Sequence, residues 1–121
     1  MATDLTIRLE DRPGTVAAAL EAVGRVGINI EGGYGNAREG VFHILVDDVA
    51  GARQALEAAG FTAGDEREVL VLGIEDRPGA AGAVFRQIAD AGVNLEFVYV
   101  ATNNRLVIAS NNIEQARAAV Q

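Results

Sequence analysis

The chain has 121 residues, half of them apolar, which suits one ordinary globular domain or two small ones and not a disordered chain. Its formal charge of −7, with ten basic residues that are all arginine and form no run, argues against a nucleic-acid partner or an anionic membrane surface, since phosphate contacts need clustered positive charge. The absence of cysteine excludes disulfides, thiolate metal sites and a cysteine nucleophile, and the absence of lysine excludes a Schiff base.

The first residues lead directly into a strand pattern without the basic and apolar regions of a signal peptide. No apolar run approaches the ~20 residues of a membrane span, so a soluble cytoplasmic protein is expected. Leu5, Ile7 and Leu9 alternate with polar residues, the period of a half-buried strand. Glu10-Asp11-Arg12-Pro13-Gly14 follows, with the proline suited to the first helical position. Val16, Ala19, Leu20 and Val23 then repeat at helical spacing, and Gly27 fits the residue just past a helix end. A second strand is predicted from Ile28 to about Tyr34, a loose turn at 36–40, a third strand over 41–46, a helix over 49–59 and a fourth strand over 61–67. Asp47-Asp48 ahead of the last helix reads as a cap.

The order then begins again. Asp76-Arg77-Pro78-Gly79 repeats the first loop at an offset of 76 − 11 = 65, and the same offset relates Gly27 to Gly92, Asn29 to Asn94, Glu31 to Glu96 and Tyr34 to Tyr99. The second copy has a more continuously apolar first strand over 69–74, as for a strand covered on both faces. A helix carries Ala81, Val84, Phe85 and Ile88, a strand covers 93–101, a tight turn falls at Asn103-Asn104, and a strand covers 106–110. Ala52-Arg53 matches Ala116-Arg117 at an offset of 64, so one residue is expected to be lost in the loop that precedes that last helix. The predicted order is βαββαβ followed by βαββα: an α+β chain of two ferredoxin-like modules side by side, residues 1–67 and 68–121, the second without its last strand.

Asp-x-Pro-Gly, a helix of about three turns and Gly-[Ile/Val]-Asn-[Ile/Leu] resemble the ACT domain, the regulatory module of many amino-acid biosynthetic enzymes. The matching residues are Asp11-Arg12-Pro13-Gly14 with Gly27-Ile28-Asn29-Ile30, and Asp76-Arg77-Pro78-Gly79 with Gly92-Val93-Asn94-Leu95. The stretches 56–61 and 69–72 resemble the joint of small stand-alone tandem-ACT proteins. The resemblance implies a non-catalytic protein with an amino acid held where modules meet, contacted by Asp11, Gly14, Thr15 and Asn29 and by Asp76, Gly79, Ala80 and Asn94. It implies no cofactor and no metal. The family often carries asparagine where Asp11 and Asp76 stand.

The chemistry agrees with a ligand of that kind. Unpaired N–H groups at a helix start suit a carboxylate. Gly14 and Gly79 let backbone approach closely. The two aspartates suit an ammonium, and the two asparagines carry donor and acceptor together. Structural roles compete: Pro-Gly is an ordinary helix start, and an aspartate beside it complements the helix dipole. Arg12 and Arg77 read as solvated. Tyr34 and Tyr99 read as packing or subunit contacts. His43, the single histidine, reads as a strand side chain, since one histidine without cysteine forms no recognisable metal set. The missing strand leaves an unpaired edge, so a homodimer is expected. The alternative function is a regulatory partner of a separate metabolic enzyme, with no ligand of its own.

Overall fold

The computed structural model describes residues 2–121. The chain divides into two compact units, Ala2–Arg67 and Glu68–Gln121. The first holds β1 (Ala2–Arg8), α1 (Thr15–Arg25), β2 (Gly32–Asn36), β3 (Val41–Leu45), α2 (Val49–Ala58) and the start of β4 (Thr62–Gly73). The second holds the end of β4, then α3 (Ala80–Asp90), β5 (Phe97–Ala101), β6 (Arg105–Ala109) and α4 (Ile113–Ala119). The two strands read from the sequence at 61–67 and 69–74 are thus one twelve-residue strand.

In the first unit β3 lies between β1 and β2, antiparallel to both, with Leu5 opposite Ile44 and Tyr34 opposite His43. Strand alternation sends Leu5, Ile7 and Ile44 to one face, where they pack with Ala19 and Val23 of α1 and with Ala52 and Leu56 of α2. In the second unit β6 lies between β4 and β5, with Leu70 opposite Ile108 and Tyr99 opposite Val107. Leu70, Leu106 and Ile108 meet Ile88 and Ala116 of its two helices. Because Tyr34 faces His43 and Tyr99 faces Val107, the offset has already fallen to 64 in the third strand of the copy. The lost residue therefore lies in the hairpin turn, which Asn103 and Asn104 close at φ 62° and 55°, and not in the loop before the last helix where the sequence placed it.

Two details of the sequence reading change. The prolines precede the helices and do not begin them. Thr15 N–H donates to the Arg12 carbonyl, with Pro13 and Gly14 between them and Gly14 at φ 92°, ψ −11°, which is a type II turn leading into α1. Ala80, Arg77 and Gly79 repeat it. The second strands also begin later than predicted. Residues 28–31 and 93–96 are connectors, not strands. Ile28, Ile30 and Val93 still pack on the cores from there, so their apolar pattern looks strand-like although no ladder forms until Glu31 and Glu96 bond to Leu45 and Ala109.

Candidate functional site

The loop from the end of β1 to α1 is built by its own hydrogen bonds. The Thr15 hydroxyl is buried and donates to the carbonyls of Glu10 (2.8 Å) and Arg12 (3.0 Å). Arg12 Nε donates to the Glu10 carboxylate at 2.9 Å, and in the second copy Arg77 does the same to Glu75 at 2.7 Å. These internal pairs leave each arginine's charge offset by its neighbour. Asp11 and Asp76, between the members of each pair, make no hydrogen bond or ion pair among the described residues.

Asp11 lies on the wall of an open cleft of about 400 Å³. One wall is the loop and the start of α1, with Glu10, Arg12, Thr15 and Val16; the other is the β2–β3 hairpin, with Gly35, Asn36, Val41 and Phe42. A second cleft of about 430 Å³ shares Glu10, Arg12 and Thr15 and runs past Arg8 and Glu39 to Phe61 and Thr62. In the second unit a smaller cleft of about 290 Å³ repeats the first, with Asp76, Arg77 and Gly79 on one side and Val100, Asn104, Arg105 and Leu106 on the other.

Within one unit the expected residues are not all brought together. Asp11 and Thr15 line the first cleft, and Asp76 and Gly79 line the smaller one. Gly14 and Gly79 are the residues from which the two helices start, both at positive φ, so their first role is the turn. Ala80 is buried where Thr15 stands in the first copy. Asn29 and Asn94 are exposed in the connectors beyond the helices, and an eleven-residue helix puts about 16 Å between each and its own loop. The hairpin wall was missed by sequence reasoning. Its signal is the glycine-containing turn at 36–40 together with antiparallel pairing, which sets Val41 opposite Arg8 at the loop end of β1.

A second polar group lies on the sheet face away from the helices. His43 Nδ1 meets the fully buried Asp4 carboxylate at 2.9 Å, the Thr6 hydroxyl stands 3.4 Å away, and the Tyr34 ring stacks on the imidazole at 4.6 Å. Burial, with Glu39 and Asp4 nearby, pushes the Tyr34 phenol above its ordinary value. His43 is the strand side chain the sequence suggests; its aspartate partner gives no sequence signal, since the two lie 39 residues apart. No group of three or more metal-ligating side chains occurs among the described residues, and no helix there is long and apolar enough to cross a membrane.

No family model matches the chain. A short stretch is 54% identical to the aspartokinase of Corynebacterium glutamicum over 33 residues, 27% of this chain and 8% of that protein. The fold is similar to that of protein BT0572 from Bacteroides thetaiotaomicron (TM-score 0.78, 28% identity, 98% of this chain and 85% of that one). It is also similar to the ligand-free regulatory subunit of aspartate kinase from Thermus thermophilus (TM-score 0.72, 21% identity, 98% and 88%) and to the regulatory subunit from Thermus flavus (TM-score 0.67, 20% identity, 98% and 90%). The chain thus has the α+β fold of aspartate-kinase regulatory subunits. Its two Asp-Arg-Pro-Gly loops stand at equivalent places in that fold, each ahead of a helix that starts from its glycine.

Proposed function

We propose that this chain is a regulatory protein, without catalysis of its own, that binds a free amino acid at the loop between the first strand and first helix of its modules. The observation that carries this reading is the pair of equivalent carboxylates, Asp11 and Asp76. Each stands unpartnered on the wall of an open cleft, in a fold shared with regulatory subunits of aspartate kinase. Asp11 takes the ligand's ammonium in a charge-assisted bond, and the first N–H groups of α1, at the positive end of its dipole, suit the carboxylate. A module keeps its own asparagine a helix length from its loop. Asn29 or Asn94 therefore completes the set only for a ligand shared between modules, and such sharing is part of the proposal.

The test is thermal unfolding in the presence of each standard amino acid. A ligand bound only by the folded chain stabilises it, by about 2.7 kcal/mol at a hundredfold excess over Kd. The expected result is a raised Tm with one amino acid or a small set, lost in Asp11→Ala or Asp76→Ala. No shift with any amino acid would overturn the reading.

That negative result, joined to complex formation with an aspartate-kinase-type catalytic chain, would establish the second reading, a regulatory partner with no ligand of its own. The regulatory subunits among the structural neighbours favour it. A homodimer belongs to both readings, and sedimentation showing a monomer at tens of micromolar would count against it.

A further inference from the structure

We infer that the ligand of the first module's cleft is an α-amino acid with an apolar side chain, held with that side chain between Val16 and Phe42. The inference rests on the amino-acid reading above and deepens it. It follows from which polar partners the cleft has left to offer. The Thr15 hydroxyl is engaged by two carbonyls of its own loop, and the guanidinium of Arg12 is paired with Glu10. Asp11 remains, and the ligand's own ammonium uses it. The ligand's side chain then meets Leu9, Val16, Val41 and Phe42, beside the Asn36 amide and the Arg12–Glu10 pair. A charged side chain finds a charged partner in this cleft only in competition with the Arg12–Glu10 pair, whereas an apolar group gains directly from the apolar walls.

Exposure points the same way. Five large apolar side chains are exposed among the described residues, and two of them line the clefts: Val16, 42% exposed, and Val100, 67% exposed, in the second module's smaller cleft. The first cleft, at about 400 Å³, lies within the range of about 300–1,000 Å³ usual for small-molecule sites. The second module's cleft, at about 290 Å³, falls just below it, so the first module is the one assigned.

The experiment is titration calorimetry and thermal unfolding with L-leucine, L-isoleucine, L-phenylalanine, L-lysine, L-aspartate and L-threonine. It uses the full chain, Val16→Asp and, as a surface control, Val26→Asp. Val26 is 58% exposed and lines none of the three clefts. Val16 is itself exposed, so both variants are expected to fold, which circular dichroism checks. The expected result is binding of leucine, isoleucine or phenylalanine, weakened at least tenfold in V16D and unchanged in V26D. Preferred binding of lysine, aspartate or threonine would overturn the inference and leave the amino-acid reading standing. Binding of an apolar amino acid that V16D does not weaken would overturn the assignment to this cleft. No binding of any of the six, with none of the other standard amino acids raising Tm, would overturn the underlying reading as well.

Discussion

At Asp4 the first module buries a carboxylate where the second buries Val69, and at His43 it buries an imidazole where the second has Val107. The fold therefore does not require the pair. Removing one partner of a buried hydrogen bond costs about 1–3 kcal/mol, while replacing both partners with apolar groups of the same shape can be nearly neutral or stabilising. His43→Val alone, which takes the imidazole away from the buried carboxylate, is expected to destabilise by about that much. Asp4→Val alone is expected to cost less, since His43 keeps the Thr6 hydroxyl at 3.4 Å and the stacked Tyr34 ring. The double variant, which copies the second module, is expected to be more stable than His43→Val. Urea unfolding of the four proteins checks this, and additive costs would show that the two residues are not coupled. Tyr34, stacked on the same imidazole, titrates above its ordinary value because of burial, then Glu39 and Asp4. The folded chain thus holds the phenol proton to higher pH than the unfolded chain does, so stability falls as pH rises above the unfolded value of about 10. An ultraviolet difference titration of Tyr34→Phe against the parent is expected to place this ionisation on the alkaline side of an ordinary tyrosine, and the variant is expected to lose less stability at alkaline pH.

Two glycines in and before α1 act in opposite directions. Gly14 sits at φ 92° in the type II turn, with open space around the place a Cβ would take, so an alanine there meets backbone strain and no clash. Gly14→Ala is expected to destabilise by about 1 kcal/mol, and Gly79→Ala likewise. Gly24 lies inside the helix, also in open space and without positive φ, so Gly24→Ala is expected to stabilise by roughly 0.5–1 kcal/mol. Thermal unfolding of the three variants gives the signs directly; a neutral Gly14→Ala would show that the turn relaxes. This contrast also explains the misplaced prolines. Pro-Gly is compatible with a helix start and with a turn before one, and sequence alone does not distinguish them. The cap at the next helix was legible because Asp48 acts locally: its carboxylate accepts the Gly51 N–H at 2.9 Å.

For the whole chain, what could be read from the sequence was what repeats and what is local. The order of strands and helices follows from the 65-residue offset, from apolar periodicity and from the glycines at 27 and 92, which take φ 80° and 76° just past the helices. What was not legible depends on pairing between distant strands. The hairpin wall of the first cleft comes beside Asp11 only through the register of β1 with β3, and Asp4 meets His43 by the same register. The connectors at 28–31 and 93–96 were misread because Ile28 and Val93 pack on the cores without joining a ladder.

Charge, by contrast, is a property of the whole sequence and makes its own prediction. Seventeen acidic side chains face ten basic ones, and several of the ion pairs are highly exposed, as in Arg12–Glu10, Arg77–Glu75 and Arg86–Asp90. Exposed pairs of this kind contribute about 0–1 kcal/mol each. Repulsion among the seven excess negative charges opposes them, and salt screens both effects. Raising sodium chloride from about 10 mM to 150 mM shortens the screening length from about 30 Å to about 8 Å. The local pairs, in contact at 4 Å or less, lose less from this than the dispersed repulsion does. Tm is therefore expected to rise, and a gain of about 1 kcal/mol would appear as roughly 4 °C in a chain of this size. Chloride is the salt to use, because sulfate stabilises burial by exclusion from the surface whatever the charge. A Tm that falls over this range would mean that the exposed pairs, and not the excess charge, dominate the electrostatics of the folded chain.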